Sequence, residues 1–252
     1  MVINMTMKKV LGCIRKADQD YDMIQNGDRI CVGVSGGKDS VLLLYALSIY
    51  QKFADVKFEV VGVHIDMGFG GMDFSELDAF CEAKGITLHH EHSDIYEILK
   101  LHPNKEGKIQ CSLCSKFKKA AVIEASKKYE CTKVAFAHHS DDAVETLFLN
   151  MLYGGKVATF QPKMYMDRTD TRFIRPMIYA YESDVTRACN EANLPIVIST
   201  CPVDKKTERE TIKQMLHSLY REYPQAKNNF QLMLSNQEQL ALWTKTPRKK
   251  EQ

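Results

Sequence analysis

Apolar positions along the chain alternate between two rhythms. Met7, Val10, Leu11 and Ile14 recur at three- and four-residue steps, which predicts a helix over about Thr6 to Ile24 that "NGD" ends. "RICVGV" follows as a short, nearly all-apolar run, the pattern of a strand buried on both faces. The same alternation continues: a helix in "SVLLLYALSIYQKF", a strand in "FEVVGVHID", a helix in "FSELDAFCEAKG" stopped by Gly85, and a strand in "ITLHHEHS". "SLCSKFKKAAVIEASKKYE" reads as a long amphipathic helix, "TKVAFAHH" as a strand and "SDDAVETLFLNMLYGG" as a helix with Asp141 and Asp142 at its start, where the helix dipole favours carboxylates. "ATFQPKMYMD" and "RFIRPMIY" read as an antiparallel hairpin, "SDVTRACNEANL" as a helix and "IVIST" as a last strand. Apolar strands alternating with helices argue an α/β fold, a parallel sheet covered on both faces with functional loops at the strands' carboxyl ends.

Length and composition narrow this picture. The chain has 252 residues, 44% of them hydrophobic, enough for a substantial core. The expected organisation is one unit over 1–244, with an N-terminal helical part at 1–26, the hairpin at 158–180, a helical part at 202–240, and a disordered basic tail at 245–252. The longest apolar run, Val41 to Leu47, is far too short to span a bilayer, and the first residues have no apolar stretch of signal-peptide length, so the expected location is the cytoplasm and no membrane is involved. A formal charge of +2 makes no case for nucleic acid from the whole-molecule field. Local basic groups carry that case instead: Lys116, Lys118 and Lys119; Lys127 and Lys128; Lys163, Arg168, Arg172 and Arg175; and the tail.

The first chemistry lies in "VGVSGGKDS", where a buried strand runs into two glycines and then into a helix. Adjacent glycines let backbone N–H groups close around phosphate oxygens, the helix N-terminus adds its dipole, and Ser35, Lys38 and Ser40 supply donors. The four-residue gap of the GTPase and kinase P-loop is missing, so this is a different phosphate loop or a tight strand-to-helix turn.

Eight cysteines in a cytosolic chain of this size stay reduced, and grouped ones suggest metal or redox chemistry. Cys111 and Cys114 stand two residues apart at the mouth of a helix, and no second such pair exists to complete a zinc site. Cys13, Cys31, Cys81, Cys131 and Cys189 lie among apolar neighbours as core thiols. Cys201 is expected at a strand's carboxyl end, in the layer of the phosphate loop. Three thiolates would hold an iron–sulfur cluster with one iron open to an exogenous sulfide. The same residues also allow a persulfide resolved by disulfide exchange, and the pair alone allows a redox or zinc role.

"SGGKDS" after a hydrophobic strand resembles the pyrophosphate loop of the ATP-pyrophosphatases, which split ATP between its α and β phosphates. In order, "CSLCSKFKK", "AHHSDDAVETLFLNMLYGG", "QPKMY", "IRPM" and "CP" resemble the tRNA 2-thiolation enzymes, the group of the 2-thiocytidine and 2-thiouridine synthetases, over about Asp28 to Pro202. The resemblance implies a Rossmann-like ATP-pyrophosphatase fold with a small hairpin insertion, ATP and magnesium as cofactors, and AMP and diphosphate as products. It implies phosphate contacts from Ser35, Gly36, Gly37, Lys38, Asp39 and Ser40, with Asp39 the residue to engage magnesium, and nucleotide contacts from Val34, His64, Ile65, Asp66 and His138. Cys111, Cys114 and Cys201 would hold a [4Fe-4S] cluster, with Lys118 and Asp141 or Asp142 catalytic. It further implies a tRNA partner, a sulfur donor (free sulfide or sulfur from a cysteine desulfurase), and a homodimer, with cytidine favoured over uridine as the base. The flanking zinc-finger cysteines of the 2-thiouridine type are absent; so are the second cysteine and Gly-Ser-Gln run expected after Cys201 in the closest 2-thiocytidine enzymes, and Ala137 stands where the family usually has Gly. Two other classes use the same residues: a different pyrophosphate-loop ligase or sulfurtransferase, and a sensor that holds ATP or a cluster without turnover.

Overall fold

The computed structural model describes residues 4–103, 107, 109–201, 208–236, 238 and 242–243. Among these, six strands form one sheet in the order β3-β2-β1-β4-β6-β5. The strands are β1 (Arg29–Gly33), β2 (Glu59–Asp66), β3 (Thr87–His92), β4 (Lys133–Ala135), β5 (Lys163–Met166) and β6 (Thr171–Ile174). Every neighbouring pair is parallel except the edge pair β5 and β6. The predicted hairpin is β5 and β6, and it extends the sheet because β6 also pairs parallel with β4.

The helices are α1 (Met5–Tyr21), α2 (Lys38–Tyr50), α3 (Ser75–Lys84), α4 (Ile95–Leu101), α5 (Cys111–Lys128), α6 (Ser140–Gly154), α7 (Glu182–Glu191), α8 (Glu208–Glu222) and α9 (Ala226–Ser235). Side chains of parallel strands alternate between two faces, and here the faces feed two cores. Ile30 and Val32 of β1 pack with α1, α2 and α7, whereas Cys31 of β1 and Val61, Val63 and Ile65 of β2 pack with α4 and α5. Helix α2 is buried nearly all round because the sheet lies beneath it and α1 and α7 lie against it. Gly62 of β2 allows the close approach: a Cβ there would stand 2.9 Å from Leu44 of α2 and 2.9 Å from Leu88 of β3. A third cluster joins Val144 of α6 to Ile212 and Leu216 of α8.

Three expectations change. "IVIST" is not a strand; it is extended chain whose Val197 N–H donates to the Gly36 carbonyl at 2.9 Å, so it braces the loop after β1 without joining the sheet. Cys201 consequently does not stand at a strand end. Helix α4 has no counterpart in the sequence reading, because seven residues with Ile95 and Leu99 buried are too few for a clear period. The tail expected at 245–252 lies outside the described residues.

Candidate active site

Strands β2 and β4 flank β1 on opposite sides, and β1 connects through α2 to only one of them. Such a switch point opens a crevice at the strands' carboxyl ends. A cavity of about 490 Å³ occupies it, lined by β1 and the loop after it, by α5, and by residues beyond the ends of β4 and β6.

The loop is built by backbone hydrogen bonds. Val34 N–H donates to the Val63 carbonyl at 2.8 Å, and Ser40 Oγ donates to the Gly37 carbonyl at 2.9 Å while accepting from Ser35 N–H at 3.1 Å. Gly36 sits at φ +87°, and a Cβ there would lie 2.7 Å from the Val197 Cβ, so only glycine fits. Gly37 is the N-cap of α2 and supplies no side-chain cap, which leaves the helix N-terminus to face a ligand. Lys38 Nζ stands 3.0 Å from Asp39 and 3.1 Å from Glu182, and Glu182 also holds Lys213 at 2.7 Å. Burial works against ionisation of Glu182, but Lys213 and Lys38 outweigh it and bring its carboxyl down to about 2.

Of the expected phosphate and nucleotide residues, Val34, Ser35, Asp39, Ser40, Ile65 and His138 line the cavity. Gly36, Gly37, Lys38, His64 and Asp66 do not. Alternation along β2 turns His64 to the opposite face, where its Nδ1 bonds the Val34 carbonyl at 3.0 Å and its ring lies 3.9 Å from that of Phe74. Burial lowers its pKa, which keeps it a neutral brace for the loop. Asp66 is exposed, accepting from Gly68 N–H at 2.9 Å and pairing with His92 of β3 at 3.2 Å, so its contacts tie a turn to the neighbouring strand.

The acidic pair divides. Asp142 lines the cavity, accepts from His139 N–H at 2.9 Å in a capping box, and pairs with Arg209 at 3.1 Å. Asp141 lies outside the cavity lining, accepting from Glu182 N–H at 2.7 Å and pairing with Lys227 at 2.9 Å. Arg209 of α8 and Arg175 after β6 also line the cavity. Arg209 escaped the sequence reading because nothing local in "TERET" marks a residue that α8 carries across to α6.

Lys118 forms part of the α5 wall and makes no ion pair among the described residues. Burial lowers its pKa, opposed by the charges of Cys114 and Cys201. One turn before it, burial raises the Cys114 thiol; Lys118 opposes the rise, and Cys201 and Cys111 add to it. The fold thus brings Cys201, from far along the sequence, into electrostatic reach of Cys114 and Lys118 on α5. Cys111 is exposed, and Cys114 and Cys201 are half-buried. Among the described residues, no three cysteine, histidine or acidic side chains close into a metal-holding group.

For magnesium, the donor fits by kind and place: Asp39 stands at the edge of a phosphate-type loop with its Oδ1 buried, no hydrogen bond made by that oxygen, and the Lys38 ammonium 3.0 Å away as its ion-pair partner. A hard cation takes such a carboxylate oxygen. For an iron–sulfur cluster, the donors fit by chemistry, three soft thiols of which Cys114 feels the charges of the other two and of Lys118.

The profile of the PP-loop domain family matches residues 8–219. A tRNA-cytidine(32) 2-sulfurtransferase of Geobacter sulfurreducens is 34% identical over 235 residues, spanning 92% of this chain and 91% of that protein. The chain belongs to the PP-loop tRNA 2-sulfurtransferase family. A second member with the same name, from Idiomarina loihiensis, is 37% identical over 222 residues, 88% of this chain and 74% of its own. Among solved structures, a U34-tRNA thiolase, NcsA, of Methanococcus maripaludis, determined with its [4Fe-4S] cluster, superposes with a TM-score of 0.74 at 24% identity, covering 94% of this chain and 81% of that one. It shares the fold that sets the family's phosphate loop at the end of β1.

Proposed function

We propose that the protein is an ATP-dependent tRNA sulfurtransferase that replaces the C2 oxygen of cytidine 32 by sulfur, the reaction named for its curated relatives. The observation that carries this reading is a single cavity whose one wall is the phosphate loop and whose other wall is Lys118, with Cys114 and Cys201 within its electrostatic reach. ATP lays its phosphates on Ser35 to Ser40 and the open N-terminus of α2, where Asp39 would hold the magnesium that screens their charge. The base oxygen attacks the α-phosphorus, pyrophosphate leaves, and the oxygen becomes part of AMP, a stabilised leaving group. Lys118 Nζ, free of any ion pair among the described residues, meets the charge developing on the α-phosphate, and Asp142, held by His139 and Arg209, orients the base from the other side. Asp141 is the positioning partner that ties α6 to α7.

Cys111, Cys114 and Cys201 would hold the [4Fe-4S] cluster, which when bound supplies the sulfur. The sulfur reaches it as free sulfide or from a cysteine desulfurase. A pyrimidine must leave its stack to enter this cavity, as bases of RNA loops do. The same reading includes a cytoplasmic location, one catalytic unit over 1–244, and a homodimer that covers exposed apolar side chains such as Leu152, Tyr153 and Leu232. No helix among the described residues is long and apolar enough to cross a membrane.

The test is anaerobic reconstitution with iron and sulfide, followed by ATP, magnesium and tRNA. We expect 2-thiocytidine at position 32 with matching AMP and diphosphate. ATP that is bound but never converted would identify a sensor, and AMP formed with no thionucleoside would identify a different ligase on this scaffold.

A further inference from the structure

The cavity has a second charged wall, away from the phosphate loop. Arg175 follows β6, and β6 lies two strands from β1 in the sheet, so the strands that carry the two walls are about 10 Å apart. Arg175 is 7% exposed, yet its partners are uncharged. Its Nε donates to His138 Nδ1 at 3.3 Å, its Nη1 donates to the Gln161 carbonyl, and its guanidinium lies 4.7 Å from the Phe160 ring centroid. Burial lowers the pKa of His138 to about 4, so the imidazole beside the guanidinium is neutral. Lys119 approaches from α5 with Nζ 4.3 Å from the Phe173 ring centroid. Neither cation has an ion pair among the described residues, while the cavity's carboxylates are engaged, Asp39 by Lys38 and Asp142 by Arg209.

A buried cation held by neutral acceptors and a ring carries a desolvation cost that no carboxylate among the described residues offsets. An anion entering the cavity offsets it. Held at Nε and Nη1, the guanidinium keeps Nη2 for a ligand, and its planar fork suits phosphate oxygens. The ATP phosphates have their own donors at β1, so the second wall needs a second source of phosphate.

We infer that Lys119 and Arg175 form a phosphate subsite that seats the backbone phosphodiester of the nucleotide whose base enters the cavity. This rests on the RNA-thiolation reading and names how that site takes its substrate: the phosphate is drawn into the cavity, since a guanidinium so buried cannot be reached from the surface.

The test uses the full-length, cluster-reconstituted protein and two variants. Lys119→Met keeps the apolar contact with Phe173 and removes the charge; Arg175→Lys keeps the charge and removes the fork. Affinity is measured for a tRNA transcript carrying cytidine 32, across a salt series, and for a non-hydrolysable ATP analogue. For Lys119→Met we expect tRNA binding about tenfold weaker, a salt slope smaller by about 0.7 to 0.9, and unchanged affinity for the analogue. For Arg175→Lys we expect weaker tRNA binding with the slope retained. Weakened analogue binding with unchanged tRNA binding would assign the subsite to the nucleotide and overturn the inference. Unchanged binding of both would remove the subsite altogether. Loss of both in a Lys119→Met protein with wild-type melting temperature would merge the two walls into one phosphate site and overturn it as well. Wild-type protein that binds tRNA with the expected slope and makes no thionucleoside would refute the thiolation reading and leave the subsite standing.

Discussion

At the end of β1 the chain is held from several sides; at the start of α5 it is held by little. The phosphate loop is fixed by β2 through Val34, by the extended segment through Gly36 and Val197, and by α7 and α8 through Glu182 between Lys38 and Lys213. Among the described residues the cysteine region shows fewer such ties, with Thr200 Oγ1 donating to the Gly70 carbonyl at 2.8 Å. Gln110, the N-cap of α5, gives no side-chain cap to the helix and spends its amide on the His102 and Pro103 carbonyls, Cys111 is exposed, and the Cys201 N–H donates to Ser199 Oγ at 3.3 Å. The difference follows from what each half binds. A phosphate site works by preorganised dipoles and needs its geometry before the ligand arrives. A thiolate site gains its closing free energy from the metal, so its ligands can be brought near by the fold and drawn into final geometry on binding.

If the halves are separable in this way, each should fail alone. The largest effect is expected from Cys111→Ala, Cys114→Ala or Cys201→Ala: iron content after anaerobic reconstitution falls sharply and 2-thiocytidine disappears, while affinity for the ATP analogue is retained. Full iron content and activity in Cys201→Ala would remove that residue from the ligand set. Asp39→Ala is the mirror experiment. AMP and diphosphate formation should fall by at least about a hundredfold with the cluster's absorbance unaltered; unchanged release would refute the magnesium assignment.

A stability prediction separates bracing from chemistry. Gly36→Ala forces a side chain into φ +87° against Val197 and should cost about 1–3 kcal/mol in denaturant unfolding. A cost under about 0.5 kcal/mol would mean the loop is less confined than its contacts indicate.

The pH dependence has two opposed parts beside the site. His138 is depressed to about 4 by burial, so its contribution is present above its unfolded value of 6.5 and is lost as pH falls toward 4. Glu145 is raised to about 7 by burial and by Asp142, so its contribution is present below 4.5 and is lost as pH rises through 7. Between these limits the two slopes offset one another. Glu145→Gln removes the second, and unfolding free energy near pH 6 should then rise with pH more steeply than in the wild type, by up to about 1.4 kcal/mol per pH unit. Parallel pH profiles would show that Glu145 is ionised in the folded protein. The smallest effect is expected at Asp66: Asp66→Asn should leave affinity for the ATP analogue within about twofold, and a larger loss would return Asp66 to the nucleotide site.

Local signals made most of the scaffold legible. Each of β1 to β6, and each helix up to α7 except α4, follows from apolar spacing and from stops such as "NGD" and Gly85, whereas α8 and α9 have no boundary of their own in the sequence reading. The loop was readable because the chemistry of two adjacent glycines between a strand and a helix is contiguous in the chain. "IVIST" misled because its period belongs to a segment that supports the loop with one backbone bond instead of a ladder. His64 and Asp66 were placed at the right strand end, but a strand turns successive side chains to opposite faces, and which face meets the cavity depends on where α5 packs.

What the chain's own residues settle, then, is the order of elements, the phosphate loop, and the identity of the candidate thiols, since each is written in neighbouring positions. Which carboxylate of the pair faces the cavity, how Cys201 comes near Cys114, and where Arg175 and Arg209 enter are settled by packing. Those relations join residues dozens of positions apart, and only a folded sheet with α5, α6 and α8 laid against it sets their distances.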